Sequence, residues 1–304
     1  MSATAIALDV GGTYIKGAAV AEDGTLRHTE RWLTRTERGP EAVLETVLDC
    51  AAELAGRFGP AAVGVAVPGV VDEGAGIAVL AANLGWRDVP VRHRLSEHLG
   101  VLVAFGHDVR AGGIAEARAG AGRGSRNFLF VPVGTGIAAA VMVDGRPLTG
   151  SHTRAGELGH LVVRPGGDPC ACGARGCVET LASAAAIARR YAAATGEPGI
   201  TAQQVAERAA AGDRTAAAVW QEAVDALADG LASAVTLLDP ERVVIGGGLA
   251  RAGEPYFAPL REALAARLAF QAIPELVPAE LGLEAGCFGA GLLARDLLAS
   301  GAAP

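Results

Sequence analysis

Aromatic residues are scarce in this 304-residue chain: they make up 4% of a sequence that is 51% hydrophobic, so the predicted cores consist mostly of Ala, Val and Leu. No apolar run is long enough to cross a bilayer. Residues 1–4 lack the basic region that opens a signal peptide, so we expect a cytoplasmic protein. The net charge of −7 disfavours a broad nucleic-acid or anionic-membrane surface. At this length, two compact lobes are expected.

Cysteine is also rare, and its five copies do not suit a secreted disulfide framework, because the number is odd and three of them cluster. Cys170, Cys172 and Cys177 lie close together downstream of His160. Three thiolates and one imidazole fill a tetrahedral Zn²⁺ site and leave no position for water, so the spacing predicts a structural zinc rather than a redox pair or chance clustering. The metal would fix nearby polar side chains, which we expect to face a ligand.

The most informative segment is residues 6–20, IALDVGGTYIKGAAV. An apolar strand ends near Asp9, a glycine turn follows at Gly11, Gly12 and Thr13, and the chain returns through Lys16 into a second strand. Glycines let backbone amides converge on phosphate oxygens. A carboxylate beside phosphate requires a cation between them, so the segment predicts a metal–nucleotide site. The alternative is an ordinary β-hairpin.

A second copy of this pattern lies downstream. The apolar run 128–133 is followed by Gly134, Thr135 and Gly136, and then by a second apolar run over 137–143. Each copy is followed by an Asp-Gly pair that predicts a tight turn, first at Asp23-Gly24 and then at Asp144-Gly145. We interpret the two copies as an internal duplication with two phosphate-facing hairpins.

Strands and helices alternate along the rest of the chain, which predicts an α/β architecture with a mixed sheet. The pattern predicts strands over 61–67, 101–105 and 242–245, and helices over 40–58, 91–99, 109–119, 214–238 and 288–298. Asp108 lies where one strand gives way to a helix, a location where open α/β sheets bind ligands. Its default role there is a helix cap. Because two predicted phosphate loops and a zinc-bound polar loop accompany it, we interpret Asp108 as a general base for phosphoryl transfer.

Taken together, these motifs resemble the ROK family of repressors, open reading frames and kinases, over essentially the whole chain. The resemblance rests on DVGGTYIK, NLGW, HDVRAGG, VGTGI, IGGGLA and, most specifically, GELGH followed by CACGARGC. It implies a two-lobed actin/hexokinase-type (ribonuclease H-like) fold with a ligand cleft between the lobes. The small N-terminal lobe would comprise residues 1–115 and a C-terminal helix at about 288–304, and the large lobe residues 116–287.

The resemblance further implies an ATP-dependent hexose kinase, with glucose and its 6-hydroxyl as the expected acceptor. Asp108 would be the catalytic base. The remaining roles follow the family motifs: sugar binding at Asn83, His107, Asp108, Glu157, His160 and Glu179; ATP and Mg²⁺ at Asp9, Gly11, Gly12, Thr13, Lys16, Gly134, Thr135, Gly136, Gly246, Gly247 and Gly248; structural Zn²⁺ at His160, Cys170, Cys172 and Cys177.

His107 replaces the family's usual asparagine beside the catalytic aspartate, so N-acetylmannosamine, fructose and other hexoses stay open as acceptors.

A sugar-responsive transcriptional regulator is the alternative from another class of function, and it needs an N-terminal helix-turn-helix. Since the phosphate hairpin begins at Ile6, we expect no such segment and no nucleic-acid partner. A catalytically silent sugar binder is disfavoured by the presence of Asp108. The family resemblance also implies a homodimer or homotetramer.

Overall fold

The computed structural model describes residues 5–21 and 25–301, so the predicted turn at Asp23-Gly24 lies outside the described residues. The strands are β1 Ala5–Val10, β2 Tyr14–Val20, β3 Leu26–Leu33, β4 Ala62–Val67, β5 Val70–Asp72, β6 Ile77–Ala81, β7 Trp86–Val89, β8 Leu102–His107, β9 Phe128–Pro132, β10 Ala140–Val143, β11 Arg146–Pro147, β12 Arg242–Gly246 and β13 Glu275–Pro278. The helices are α1 Pro40–Phe58, α2 Val91–Leu99, α3 Asp108–Ala119, α4 Val178–Ala182, α5 Ala184–Thr195, α6 Ala202–Ala210, α7 Arg214–Leu238, α8 Glu254–Ala265 and α9 Ala285–Ala299.

The chain divides into two compact units. The first contains Met1–Arg118, Thr149–Arg154 and Glu284–Pro304, and the second contains Ala119–Leu148 and Ala155–Leu283. The segment Thr149–Arg154, which the sequence predicts within the large lobe, belongs to the first unit. One contact that holds it there is a hydrogen bond of 3.5 Å from Nη1 of Arg110 to the carbonyl of Thr153.

The two units share one sheet topology. Strand order is β3-β2-β1-β4-β8 in the first unit and β11-β10-β9-β12-β13 in the second. In each, three strands form an antiparallel meander and two further strands add in parallel. This common order is what the repeated strand–glycine-turn–strand pattern predicts for a duplicated unit. Strands β5, β6 and β7 form a separate three-stranded sheet, and Asn83 lies in the connection between β6 and β7.

Helix bounds follow from local signals. Helix α1 begins at a proline, which suits the first turn, and is followed by Gly59 in the left-handed conformation (φ 54°), which terminates it. Helix α7 begins after Asp213, whose carboxylate accepts hydrogen bonds from the amides of Thr215 and Ala216. Both helices, and α2, have the bounds that the apolar spacing predicts. No helix in the described part of the chain is both long and apolar enough to cross a bilayer.

In the first unit, the backbone of α9 packs closely against the backbone of strand β4. A Cβ atom at Gly64 of β4 would lie 1.8 Å from the carbonyl oxygen of Ala290, so this approach requires glycine. Strands β1, β4 and β8 are parallel, and their register pairs Asp9 with Ala66 and Val67 with His107. The carboxyl ends of these three strands therefore meet at one edge of the sheet, and this edge carries Asp9, His107 and Asp108, which the sequence predicts as site residues.

Candidate active site

The first phosphate loop is built on the β1–β2 hairpin. Asp9 and Lys16 are cross-strand partners, and Nζ of Lys16 lies 3.3 Å from Oδ2 of Asp9. Lys16 is the only lysine of the sequence. Burial raises the pKa of Asp9 to about 6; the positive charge of Lys16 opposes this rise, and the negative charge of Asp108 adds to it. Asp9 and Asp108 thus interact electrostatically at the same sheet edge.

The glycine turn between these strands is held from two sides. The buried Thr34, which sequence reasoning missed, donates from Oγ1 to the carbonyl of Gly11 at 2.6 Å, and its amide donates to the carbonyl of Thr13 at 3.0 Å. A Cβ atom on Gly12 would lie 3.2 Å from Cβ of Asn83. The structure therefore brings the turn and the predicted sugar-binding asparagine into contact within the first unit.

Asp108 is the first residue of α3 and follows the last residue of β8. Its Oδ1 accepts the amide of Val109 at 2.7 Å, which is the next residue along the chain, whereas an N-cap side chain accepts from an amide two or three residues further on. The side chain is 28% exposed. Burial raises the pKa of Asp108 above its ordinary value, while the Val109 amide and the Arg110 charge lower it by less. A carboxylate with a raised pKa is a stronger base than a surface aspartate.

Beside it, His107 is buried, and its Nδ1 lies 3.5 Å from Oδ1 of Asp108. Two charged residues that sequence reasoning did not single out surround this pair. Oε1 of Glu73 accepts hydrogen bonds from Nε of Arg110 at 2.9 Å and from the amide of His107 at 3.1 Å. Arg110 lies inside the HDVRAGG motif and could have been found there, whereas Glu73 belongs to no motif.

The second glycine loop connects β9 to β10 in the second unit. The amide of Gly134 donates to the carbonyl of Gly136 at 3.0 Å, and the amide of Ile137 donates to Oε2 of Glu179 at 2.8 Å. The third glycine run lies against the base of this loop, because the amide of Val133 donates to the carbonyl of Gly246 at 3.0 Å. Glu179 and two glycine segments of the second unit therefore lie together. The segments are Gly134, Thr135 and Gly136, and Gly246, Gly247 and Gly248.

The GELGH segment packs on residues 137–139, which lie between this loop and strand β10. The amide of Ala139 donates to the carbonyl of Gly156 at 2.7 Å, and a Cβ atom on Gly159 would lie 2.2 Å from the carbonyl oxygen of Ile137. Glu157 and His160 belong to this segment, and Nε2 of His160 lies 3.9 Å from Oε2 of Glu157. The predicted sugar-facing residues of the second unit therefore share one scaffold with its glycine loop.

His160 joins this scaffold to the three thiols. The ligand atoms of His160, Cys170, Cys172 and Cys177 all lie within 4.8 Å of one another. Nδ1 of His160 lies 3.5 Å from Sγ of Cys170, and the sulfurs of Cys172 and Cys177 lie 3.7 Å apart. Zinc bond lengths of about 2.3 Å to sulfur and about 2.0 Å to nitrogen give tetrahedral edges of about 3.8 Å between two sulfurs and about 3.5 Å between sulfur and nitrogen. The cluster therefore fits a four-coordinate zinc ion and could hold one.

The chain is similar to known sugar kinases. The sequence matches the ROK family over residues 5–297. A glucokinase from Thermotoga maritima is 34% identical over 307 residues, which cover 96% of this chain and 97% of the relative. An N-acetylmannosamine kinase from Citrobacter koseri is 35% identical over 292 residues, which cover 95% of this chain and 98% of the relative.

Among solved structures, a ROK family glucokinase from Streptomyces griseus, in complex with glucose and AMPPNP, is similar with a TM-score of 0.86 and 29% identity. The match covers 96% of this chain and 99% of that chain. The α/β architecture with two duplicated lobes is the fold of these sugar kinases. Since the family match spans nearly all of the sequence and full-length relatives exceed 30% identity, the chain belongs to the ROK family.

Proposed function

We propose that this protein is an ATP-dependent hexose kinase that phosphorylates glucose at its 6-hydroxyl. The observation that carries the proposal is the position of Asp108, at the end of β8 and on the same sheet edge as the first phosphate loop. The activity itself is suggested by the Thermotoga maritima glucokinase and by the Streptomyces griseus structure that contains glucose and AMPPNP.

In this mechanism, the carboxylate of Asp108 accepts the proton of the sugar hydroxyl as its oxygen attacks the γ-phosphorus of ATP. The new oxygen–phosphorus bond forms while the bond to the β–γ bridging oxygen breaks, and ADP leaves. Positioning and electrostatics carry most of such catalysis. The raised pKa of Asp108 strengthens it as a proton acceptor.

The phosphates of ATP need positive charge and amide donors. We assign these to Lys16, to the amides of Gly11, Gly12 and Thr13, and to the second loop over residues 134–136, with the glycines at 246–248 on the adenine side. A Mg²⁺ ion near Asp9 would supply further positive charge against the phosphate oxygens.

The sugar hydroxyls are assigned to Asn83 and His107 in the first unit and to Glu157, His160 and Glu179 in the second. His160 can serve both as a zinc ligand and as a sugar contact, because Nδ1 faces the thiols and Nε2 faces Glu157. His160, Cys170, Cys172 and Cys177 would hold a zinc ion with all four positions filled, and such an ion would support the loop without taking part in the chemistry.

A second candidate function is phosphorylation of N-acetylmannosamine, which the similarity to the Citrobacter koseri kinase favours. The buried His107, in the place of the family's asparagine, is the residue through which the acceptor would differ. Fructose or another hexose is a further alternative acceptor.

The remaining alternative function is a sugar-responsive transcriptional regulator. A gel-shift assay for DNA binding at physiological salt tests it.

A coupled assay for ADP formation tests the proposal, with ATP and a panel of glucose, N-acetylmannosamine and fructose. We expect turnover that requires both sugar and ATP and is highest with glucose. An Asp108→Asn variant serves as the matched control. If no sugar of the panel supports ADP formation by the wild-type protein, the proposed function is wrong.

We also propose that the protein forms a homodimer or homotetramer. Large apolar side chains of the second unit are exposed near the end of α7: Leu237 is 80% exposed, Phe270 88% and Ile273 62%. A hydrogen bond of 2.9 Å from Gln271 to Thr236 holds the two segments together. Exposed apolar surface of this kind favours self-association. Light scattering coupled to size exclusion measures the mass, and a monomer would contradict the proposal.

A further inference from the structure

We propose that Gly286, in the first turn of α9, is a positioning residue for Asp9. Because it has no side chain, it leaves the space in which the Asp9 carboxylate pairs with Lys16. This inference deepens the proposed function, since that carboxylate is the group near which we place Mg²⁺ and the phosphates of ATP. It adds a residue of α9 to a phosphate loop that is otherwise built on the β1–β2 hairpin.

The contact between the two residues is direct. A Cβ atom on Gly286 would lie 2.8 Å from Oδ2 of Asp9, 2.9 Å from Cγ and 3.1 Å from Oδ1. All three atoms belong to the carboxyl group, which therefore lies against Cα of Gly286. Oδ2 is also the oxygen that lies 3.3 Å from Nζ of Lys16. A methyl group at Gly286 would thus collide with the oxygen that forms the ion pair.

The other two glycines of α9 have different neighbours. A Cβ atom on Gly289 would lie 2.0 Å from the carbonyl oxygen of Ala111, and one on Gly291 would lie 2.6 Å from Cγ2 of Val20. These two glycines let α9 pack closely on the backbone of α3 and on an apolar side chain of β2. Gly286 faces a carboxylate instead, so close packing on apolar or backbone atoms does not explain it.

The first turn of α9 packs against both strands of the hairpin. Sγ of the buried Cys287 lies 4.0 Å from the carbonyl oxygen of Ala7 on β1 and 4.0 Å from that of Lys16 on β2. The N-terminal end of a helix carries partial positive charge, which favours a carboxylate placed against it. The start of α9 therefore attracts the carboxylate of Asp9, and Gly286 gives it room to approach.

Alanine at this position would act through Asp9. The backbone of Gly286 is helical and has no positive φ, so alanine can adopt its conformation. Alanine is also a better helix former than glycine. The carboxyl group is the end of a short side chain that can rotate to another rotamer, so the methyl group should turn it away from Lys16 and leave the backbone in place.

Steady-state kinetics provide the first test, with Gly286→Ala, Asp9→Ala and the double variant in the full-length protein. We expect each single substitution to lower kcat/KM for ATP about tenfold or more, with KM for the sugar within about twofold of wild type. Asp9→Ala removes the group that the new methyl would meet. Adding Gly286→Ala in that background should therefore change kcat/KM by less than about twofold. If the two losses multiply, the inference is wrong.

Gly291→Ala is the matched control for these variants. It adds the same methyl group to the same helix, but against the apolar side chain of Val20. We expect it to keep the kinetic constants of the wild type, even if its unfolding midpoint changes. A loss of kcat/KM for ATP as large as that of Gly286→Ala would mean that any added methyl on α9 disturbs the site, and would contradict a specific role for Gly286.

Labelling of Lys16, the only lysine, provides a test that requires neither sugar nor ATP. When Oδ2 of Asp9 is displaced, Nζ of Lys16 loses this partner and becomes more accessible. We expect an amine-specific reagent to modify Lys16 about twofold faster or more in Gly286→Ala, as in Asp9→Ala, with the wild-type rate in Gly291→Ala. Peptide mass spectrometry measures the rate at this side chain. An unchanged rate in Gly286→Ala overturns the inference.

Thermal unfolding separates positioning from a purely structural role. We expect Gly286→Ala to unfold close to the wild-type midpoint, or to regain that midpoint when Asp9→Ala removes the collision. If Gly286→Ala lowers the midpoint equally with and without Asp9, the glycine serves packing alone and the inference is wrong. If labelling and unfolding are as expected but the wild-type protein phosphorylates no sugar, the positioning of Asp9 stands and the proposed function fails.

Discussion

Glu179 accepts a hydrogen bond from the amide of Ile137 at 2.8 Å, so a carboxylate assigned to the sugar also anchors the second glycine loop. A Cβ atom on Gly136 would lie only 2.7 Å from the same carboxylate oxygen. By contrast, a Cβ atom on Gly134 would meet nothing within 4 Å. Gly136 therefore has no room for a side chain, whereas Gly134 has, and substitution of each glycine tests this difference.

Gly136→Ala should displace Glu179 and the loop together. We expect the KM values for sugar and ATP to rise together and kcat/KM to fall about tenfold or more, since small displacements of positioning groups have large kinetic effects. Gly134→Ala should have a clearly smaller effect because its methyl group meets no atom. Steady-state kinetics of both variants measure this. Equal losses in the two variants would contradict the proposed link between sugar and phosphate sites.

Asp108→Asn should separate catalysis from binding. Without the proton acceptor we expect kcat to fall by a factor of about 10² to 10⁴, with sugar affinity nearly unchanged. Calorimetry measures the affinity and the coupled assay measures turnover. A variant that keeps near-wild-type turnover would exclude Asp108 as the base.

The same residue predicts a pH dependence. Because burial raises the pKa of Asp108, kcat/KM should begin to fall, as the pH is lowered, at a pH above the ordinary aspartate value. The raised pKa also means that ionisation destabilises the folded state, so the contribution of this group to stability is full at low pH and is lost as pH rises through the folded pKa. Thermal unfolding of Asp108→Asn at neutral pH should thus show an equal or higher midpoint. A clearly lower midpoint would contradict the raised pKa.

Much of the fold could be predicted where a signal is local. The glycine turns, the apolar strands beside them and the periodic helix α7 all carry their signals within a few residues. Strand β3 was missed, because LRHTERWL alternates exposed and half-buried residues at the sheet edge and contains several charges. Helix α8 was missed as well; it carries Pro259 in its interior, which ordinarily argues against a helix.

In the candidate site, too, the residues with a local sequence signal could be predicted and those brought together by packing could not. His160 and the cysteines could be predicted because the ligand types and their spacing suffice for a tetrahedral cluster. Glu73 could not, since its partner Arg110 is 37 positions away and only the packing of β8 against the β5–β6 segment brings the two together. Thr34 was missed for the same reason: it holds Gly11 across 23 positions.

Lys16 allows a direct test of the first phosphate loop, because it is the only lysine and its side chain is 18% exposed. An amine-specific reagent should modify one side chain per protein, and ATP should slow that modification if the phosphates lie against Lys16. Peptide mass spectrometry locates the label and separates it from the N-terminal amine. Lys16→Arg, which keeps the charge, should take up no side-chain label. Modification of Lys16 at the same rate with saturating ATP would argue against its assignment to the phosphates.

Loss of zinc should act through the GELGH segment, because His160 belongs both to the thiol cluster and to the assigned sugar site. We expect one zinc ion per wild-type protein and none in Cys172→Ser, with a lower unfolding midpoint and a higher KM for the sugar in the variant. Cys50→Ala is the control, since Cys50 is buried in α1 of the first unit and belongs to no metal cluster among the described residues. Elemental analysis measures the metal. A wild-type protein purified without zinc, or equal metal loss in both variants, would refute the assignment of the cluster.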